Sequence, residues 1–166
     1  QDAGVYGMDV GSSLSELVGA VSALHGDFMI RVGMANPGSV KETFPELLDV
    51  YSNPKVYKFL HLPVQSGDDA ILASMGRRHT ADDAMIMMES FRKRFPESTM
   101  STDVIVGYPG EGSEAHEATK RFLGRARPDI VNVTRFSPRT GTVAAGMAGA
   151  PHGRVVKARS RELTAL

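Results

Sequence analysis

The feature that most constrains the fold is a repeated alternation of short apolar runs with amphipathic segments of helical length. The apolar runs cover residues 28–34, 56–62, 100–106 and 130–136, which is the length of buried strands. Because parallel strands need crossover connections and these are usually helical, the alternation predicts an α/β fold in which a parallel sheet carries outer helices. An open doubly wound sheet and an incomplete, TIM-like βα barrel both satisfy this pattern.

Capping residues set the boundaries that we predict for the helices. Ser12 or Ser13 precedes the first helical pattern, and Thr80 with Asp83 forms a capping box for a longer one. Around Pro45, either a helix restarts behind Thr43 or a single helix kinks. The predicted helices begin near residues 13, 40, 68, 80, 113 and 154.

The absence of cysteine excludes several classes of site. With 0 Cys in 166 residues, the chain offers no disulfides, no thiolate zinc site, no Cys nucleophile and no iron–sulfur ligands. It has no apolar run of 18 residues and no secretory signal, so we expect no membrane contact and a cytoplasmic protein. The start at Gln1, without an initiator Met, is expected of a piece of a longer protein.

Charge is balanced in total but not along the chain. Residues 1–120 hold 10 Lys and Arg against 17 Asp and Glu, whereas residues 121–166 hold 9 against 2. The basic end is either a surface that faces a polyanion or an ordinary segregation of solvated charges.

The turns that follow the predicted strands hold the candidate functional residues. In parallel folds the carboxyl ends of the strands open onto one face, where ligands bind. Glycines in these turns let the backbone approach a ligand, and Gln, Ser and Asp side chains suit ribose and amino acid groups. The turns are Asn36-Pro37 and residues 63–68, 107–111 and 137–142.

Two polar residues lie within apolar strands. Asp103 must find a partner, either a neighbouring Arg or a polar cavity, because an unpaired buried charge is costly. His61 is either a hydrogen-bonded core residue or a functional one. The five His show no spacing typical of metal ligands, so we expect no metal site.

Four segments resemble, in order and spacing, the radical-SAM tRNA methylthiotransferases: FLHLPVQSGD (59–68), MGRRHT (75–80), STDVIVGYPGE (101–111) and RFSPRTGT (135–142). The segments RVGMANP (31–37) and VYKFL (56–60) look most like the archaeal and eukaryotic branch, which adds a methylthio group to threonylcarbamoyladenosine beside the anticodon.

The resemblance implies a partial barrel that lacks its first strands. Residues 1–150 would be the C-terminal part of the radical-SAM barrel, and residues 151–166 a basic tail leading toward a TRAM domain. The family's CxxxCxxC loop, which binds the 4Fe-4S cluster that cleaves S-adenosylmethionine, would lie upstream of Gln1, as would the auxiliary cluster's ligands. The chain by itself is therefore expected to be inactive.

The resemblance also implies the residues of an S-adenosylmethionine pocket. Gln1 and Asp2 would lie near the methionyl group, and Gln65 and Ser66 near the ribose. The adenine-side motif GxIxGxxE matches at Ile105 and Gly107, but Asp103 replaces its first Gly and Glu111 falls one residue late. The strand around Phe136 would flank the adenine.

Three arginines and an open sheet edge are the surfaces expected to bind partners. Arg78, Arg135 and Arg139 would meet either the cofactor's carboxylate or the charges of tRNA. An electron donor would reduce the cluster. The open edge at residues 28–34 would either pair with a second copy or be covered by residues 1–27. Alternative functions are another radical-SAM or phosphate-binding barrel enzyme and a non-catalytic RNA-binding module.

Overall fold

A computed structural model describes residues 2–166, so Gln1 lies outside the described residues. Seven α-helices and three strands were assigned in that part of the chain. In chain order they are α1 (Leu14–Ser22), α2 (Pro37–Val40), α3 (Phe44–Tyr51), β1 (Phe59–His61), α4 (Asp69–Ser74), α5 (Ala81–Arg94), β2 (Thr99–Val106), α6 (Ser113–Ala126), β3 (Ile130–Arg135) and α7 (Gly153–Thr164).

The three strands form a parallel sheet in the order β1-β2-β3, which confirms the predicted α/β class. Alternate residues of β2 point to opposite sides. On the helix side, Met100, Val104 and Val106 are buried in the main core. The opposite side carries Asp103 and Ile105, both half-buried, and we call it the concave face because the curve of an incomplete barrel places it inside.

The prediction of a regular strand at residues 28–34 is wrong. This segment runs parallel to the chain before β1, but it forms only an isolated bridge between Ile30 and Val56. The Tyr57 amide donates to the Ile30 carbonyl at 2.9 Å, and the Phe59 amide then turns back to the Tyr57 carbonyl at 2.8 Å. Because this local turn uses groups that a ladder would need, the pairing stops after one bridge.

Two of the predicted helix caps are confirmed, and the cap by Thr43 is wrong. The Ser13 hydroxyl accepts from the amide of Glu16, and Thr80 and Asp83 form a complete capping box at the start of α5. Around Pro45 the helix restarts rather than kinks, because α2 and α3 are separate helices, and Thr43 at the start of α3 makes no side-chain cap.

Aromatic side chains join the helices to the sheet. Tyr51 and Phe91 meet edge to face, with ring centroids 4.9 Å apart, and Phe95 packs beside both. The Tyr51 hydroxyl donates to the Phe59 carbonyl at 3.0 Å, and burial raises the pKa of this phenol. The contact fixes α3 and α5 against the start of β1.

The segment predicted as a basic tail folds back onto the sheet as α7. At its first turns, Val156 lies against Gly107, directly after β2. Near its end, Leu163 is buried and borders a cavity with Val131, at the start of β3. Helix α7 therefore runs antiparallel to β3. No helix between residues 2 and 166 is both long and apolar enough to cross a bilayer.

Candidate cofactor-binding site

Gln65 is held in a strained conformation where the chain leaves β1. Its φ is 74°, in the left-handed region that costs most residues about 1–3 kcal/mol. Its amide donates to the Asp103 carbonyl at 2.8 Å, and its carbonyl accepts from Ile105 at 2.9 Å, so it is fixed beside β2. The residue is only 8% exposed. Its side-chain amide makes no hydrogen bond within residues 2–166 and is not fully buried, so it is free to bind a polar ligand.

An apolar wall lies next to Gln65. Ile105 is its neighbour in the sheet, and Phe136 meets Tyr108 with ring centroids 5.2 Å apart. The Tyr108 hydroxyl donates to the Ser74 carbonyl at 2.9 Å, which fixes the ring. Ile105 and Phe136 line a cavity of about 300 Å³, which they share with Arg135 and Arg139. This surface suits a flat aromatic group.

A polar row crosses the concave face of all three strands. The His61 ring Nε2 lies 3.2 Å from both carboxylate oxygens of Asp103, and the Asn132 amide donates to Asp103 Oδ1 at 2.7 Å. Asp103 is thus paired with His61 and Asn132, not with an Arg. His61 is half-buried and hydrogen-bonded, and its place on the concave face was not foreseen as part of a site.

A second cavity, of about 270 Å³, is positively charged. Arg77 and Arg78 line it together with Asn36 and Ser39. Arg77 Nη1 donates to Asn36 Oδ1 at 3.2 Å, but its Nε is buried without a partner. No carboxylate of residues 2–166 lies within ion-pair distance of either guanidinium. The chemistry of this cavity suits a carboxylate or phosphate group.

Asp2 shapes the wall of the Arg77 cavity. Its carboxylate accepts from the amides of Gly4 and Asn36, from the Asn36 side chain and from the Ser39 hydroxyl, at 2.5–3.0 Å. Burial would raise the pKa of Asp2, but the hydrogen bonds from Ser39 and Asn36 outweigh it and hold this pKa below its usual value. The carboxylate is occupied by these bonds, so it fixes the turn after residue 35.

Ser66, Gly107 and Glu111 lie apart from the open cavities. The Ser66 hydroxyl accepts from the amide of Asp68 at 3.2 Å and is buried toward α6. Gly107 has a φ of 85°, and a Cβ here would lie 2.6 Å from Val156. The buried Glu111 carboxylate accepts from the Gly107 amide and from Arg159.

The structure therefore brings together some of the predicted site residues and separates others. Gln65, Ile105 and Phe136 are neighbours at the carboxyl ends of the strands. Arg135 and Arg139 share their cavity, whereas Arg78 lines the Arg77 cavity.

Comparison with known proteins shows the family to which this chain belongs. The family model described as "Radical SAM superfamily" matches residues 6–123. The chain belongs to the radical SAM superfamily. It is 50% identical, over 98% of its length, to the "Probable threonylcarbamoyladenosine tRNA methylthiotransferase" of Pyrococcus horikoshii. It is 48% identical over 100% of its length to the protein of that name from Archaeoglobus fulgidus. It spans only 38% and 39% of these two relatives' lengths.

Solved structures support the same fold. Coproporphyrinogen III oxidase from Escherichia coli, a radical SAM enzyme, superposes with a TM-score of 0.70 at 16% identity, covering 92% of this chain and 35% of that one. Elp3 of Methanocaldococcus infernus superposes with a TM-score of 0.52 at 18% identity, covering 81% and 31%. At these identities the likeness concerns the fold alone, and it confirms the predicted partial barrel.

The side chains of this radical SAM chain fit one of the superfamily's two cofactors. A free amide, an apolar wall and a guanidinium without a carboxylate partner are the kinds of group that bind a ribose, an adenine and a carboxylate. An iron–sulfur cluster finds no ligands here, because the chain has no Cys and no group of three His, Asp or Glu in residues 2–166 could hold a metal.

Arg77 is the residue that the sequence analysis missed. It stands beside Arg78, which was predicted to bind an anion. Only the fold shows that Arg77, and not Arg78, has a buried N–H without a hydrogen-bond partner.

Proposed function

We propose that this chain is the S-adenosylmethionine-binding part of a tRNA methylthiotransferase. The full-length enzyme would add a methylthio group to threonylcarbamoyladenosine beside the anticodon. The observation that carries the proposal is the strained Gln65, which has a free side-chain amide and whose backbone is hydrogen-bonded to Ile105, a residue of the apolar cavity. The names of relatives 48–50% identical over nearly the whole chain give the reaction.

Each part of the cofactor has a matching group in the chain. The Gln65 amide would bind the ribose hydroxyls, with the Asp103 carboxylate nearby on the concave face. Ile105 and Phe136 would hold the adenine, and Arg77 would bind the methionyl carboxylate. S-adenosylmethionine supplies the radical chemistry when it is bound at a reduced cluster. The role of this chain is to bind and orient the cofactor and to exclude water.

The remaining parts of the enzyme come from outside the chain. Two 4Fe-4S clusters, an electron donor and a tRNA substrate would complete the reaction, which we place in the cytoplasm. Because the cluster that anchors the methionyl group has no ligands here, the chain alone should bind S-adenosylmethionine with a Kd in the millimolar range, or about −4 kcal/mol.

The test of cofactor binding is an NMR titration of the chain with S-adenosylmethionine. Shifts should cluster at Gln65, Ile105 and Phe136. Ile105→Asp should abolish binding, because it places a charge against the adenine. The matched control is Ile86→Asp, at an exposed position on α5, which should leave binding unchanged. Absence of saturable shifts in the folded chain, or equal binding by Ile105→Asp, would contradict the proposed pocket.

The reaction itself is tested in a chimera. This chain replaces the matching segment of the Pyrococcus horikoshii relative, and tRNA nucleosides are analysed by mass spectrometry after reaction. Methylthiolated threonylcarbamoyladenosine is the expected product. A chimera that reconstitutes its clusters and binds tRNA but does not bind S-adenosylmethionine would instead indicate the non-catalytic RNA-binding module.

A further inference from the structure

The cations near the C-terminus mostly lack counter-ions. Residues 121–166 hold nine Lys and Arg but only two acidic residues. Of these cations, Arg125 pairs with Glu89 and Arg159 with Glu111. The other seven have no carboxylate within 4.0 Å anywhere in residues 2–166. Their charge is therefore not used to hold the fold together.

Helix α7 separates its cations from its buried side chains. Ser160 and Leu163 are buried against the sheet. Arg154, Lys157 and Arg161 are exposed, and their spacing of three and four residues places them on one face of the helix, opposite the buried side. From Arg154 to Arg161, seven residues further along the chain, the helix rises about 10 Å.

Helix α7 begins beside the strand ends that border the candidate pocket. Val156, in the first turns of α7, lies against Gly107, and the preceding Val106 pairs with Arg135 of β3. Arg135 and Arg139 are exposed and line the cavity of Ile105 and Phe136. Two of these exposed cations lie at the pocket and three lie on the outer face of α7. We call the five together the basic ridge: Arg135, Arg139, Arg154, Lys157 and Arg161.

We propose that the basic ridge binds the sugar–phosphate backbone of the substrate RNA and brings a nucleotide to the mouth of the cofactor pocket. The inference rests on the proposed function, and it adds the surface that the RNA contacts. A small anion would be held by one or two guanidiniums, whereas a row of unpaired cations that extends for more than 10 Å suits successive phosphates. Arg135 and Arg139 of the ridge line the pocket cavity, so a backbone bound along the ridge would bring a nucleotide to the mouth of the pocket.

The test compares two doubly substituted chains with the same change in net charge. The ridge variant is Arg154→Gln with Lys157→Gln. The control is Lys93→Gln with Arg121→Gln, two exposed cations on α5 and α6 without ion pairs. All four positions are exposed, so both variants should keep the unfolding midpoint of the unchanged chain.

Binding to a synthetic anticodon stem-loop RNA is measured by fluorescence anisotropy over a series of salt concentrations. The ridge variant should bind about tenfold more weakly, with a salt dependence reduced by about two ion equivalents, because each lost phosphate contact removes about one. The control should change affinity by less than about twofold.

Three outcomes would contradict the proposal that the basic ridge binds RNA. These are no RNA binding by the unchanged chain, equal losses in both variants, and no loss in the ridge variant. Titration of the same variants with S-adenosylmethionine separates this failure from that of the proposed function. A ridge variant that binds S-adenosylmethionine normally and RNA without loss would refute the ridge alone.

Discussion

The Glu111–Arg159 ion pair is expected to hold α7 on the sheet. The two side chains are only 6% and 12% exposed, and Arg159 Nη1 lies 3.0 Å from Glu111 Oε1. In Glu111→Ala the guanidinium would stay buried, with the Glu111 carbonyl as its one remaining acceptor. Removing one partner of a buried pair costs about 3–5 kcal/mol. For a chain of this size we expect the Tm to fall by roughly 10 °C.

The assay is urea unfolding followed by circular dichroism, with a double-mutant cycle. Arg159→Met alone should also destabilise, because it leaves the buried Glu111 carboxylate with the Gly107 amide as its hydrogen-bond donor and His116 Nδ1 at 3.8 Å. Glu111→Gln combined with Arg159→Met should cost less than the two single changes added together, because neither charge is then left unpaired. A cost below about 1 kcal/mol for Glu111→Ala, or strict additivity in the cycle, would refute this reasoning.

Three further predictions concern pH, cluster binding and association. Burial, despite the hydrogen bond to the Val64 carbonyl, holds the pKa of His79 below 6.5, so the unfolding free energy should fall as pH drops below about 6.5; an equal fall in His79→Asn would contradict this. After anaerobic reconstitution and desalting the chain should retain no iron–sulfur absorbance, and a stoichiometric cluster would disprove the assignment of its ligands to other segments. The chain should associate through the extended segment 28–34, or its first 27 residues should protect that segment. A monomer by light scattering with fast amide exchange in residues 28–34 would exclude both outcomes.

The fold was predictable where its causes are local. The run at 100–106 corresponds closely to Thr99–Val106, and the Thr80 capping box starts α5 as expected. The strand at 28–34 could not be judged from its own residues. Its pairing depends on the turn at Tyr57 in the neighbouring segment, which interrupts the ladder.

The site was predictable as a set of positions but not as a set of partners. Gln65 was predicted in the turn after one strand and Ile105 near the end of the next parallel strand, and the structure joins the two residues by a backbone hydrogen bond. The bond between His61 and Asp103 joins residues 42 apart in sequence, and that between Arg77 and Asn36 joins residues 41 apart. Such distant pairs leave no periodic signal in the sequence, so only the fold shows which polar groups are occupied and which are free.

The contact of Val156 with Gly107 and the ion pair between Arg159 and Glu111 pack α7 against the loop after β2. Thermodynamic linkage then sets a condition on any two ligands that bind on either side of this contact. If a cofactor in the pocket favours one position of α7, it strengthens RNA binding on the ridge by some factor, and RNA must strengthen cofactor binding by that same factor. The helix would couple the two affinities, so that a bound cofactor strengthens RNA binding and bound RNA strengthens cofactor binding.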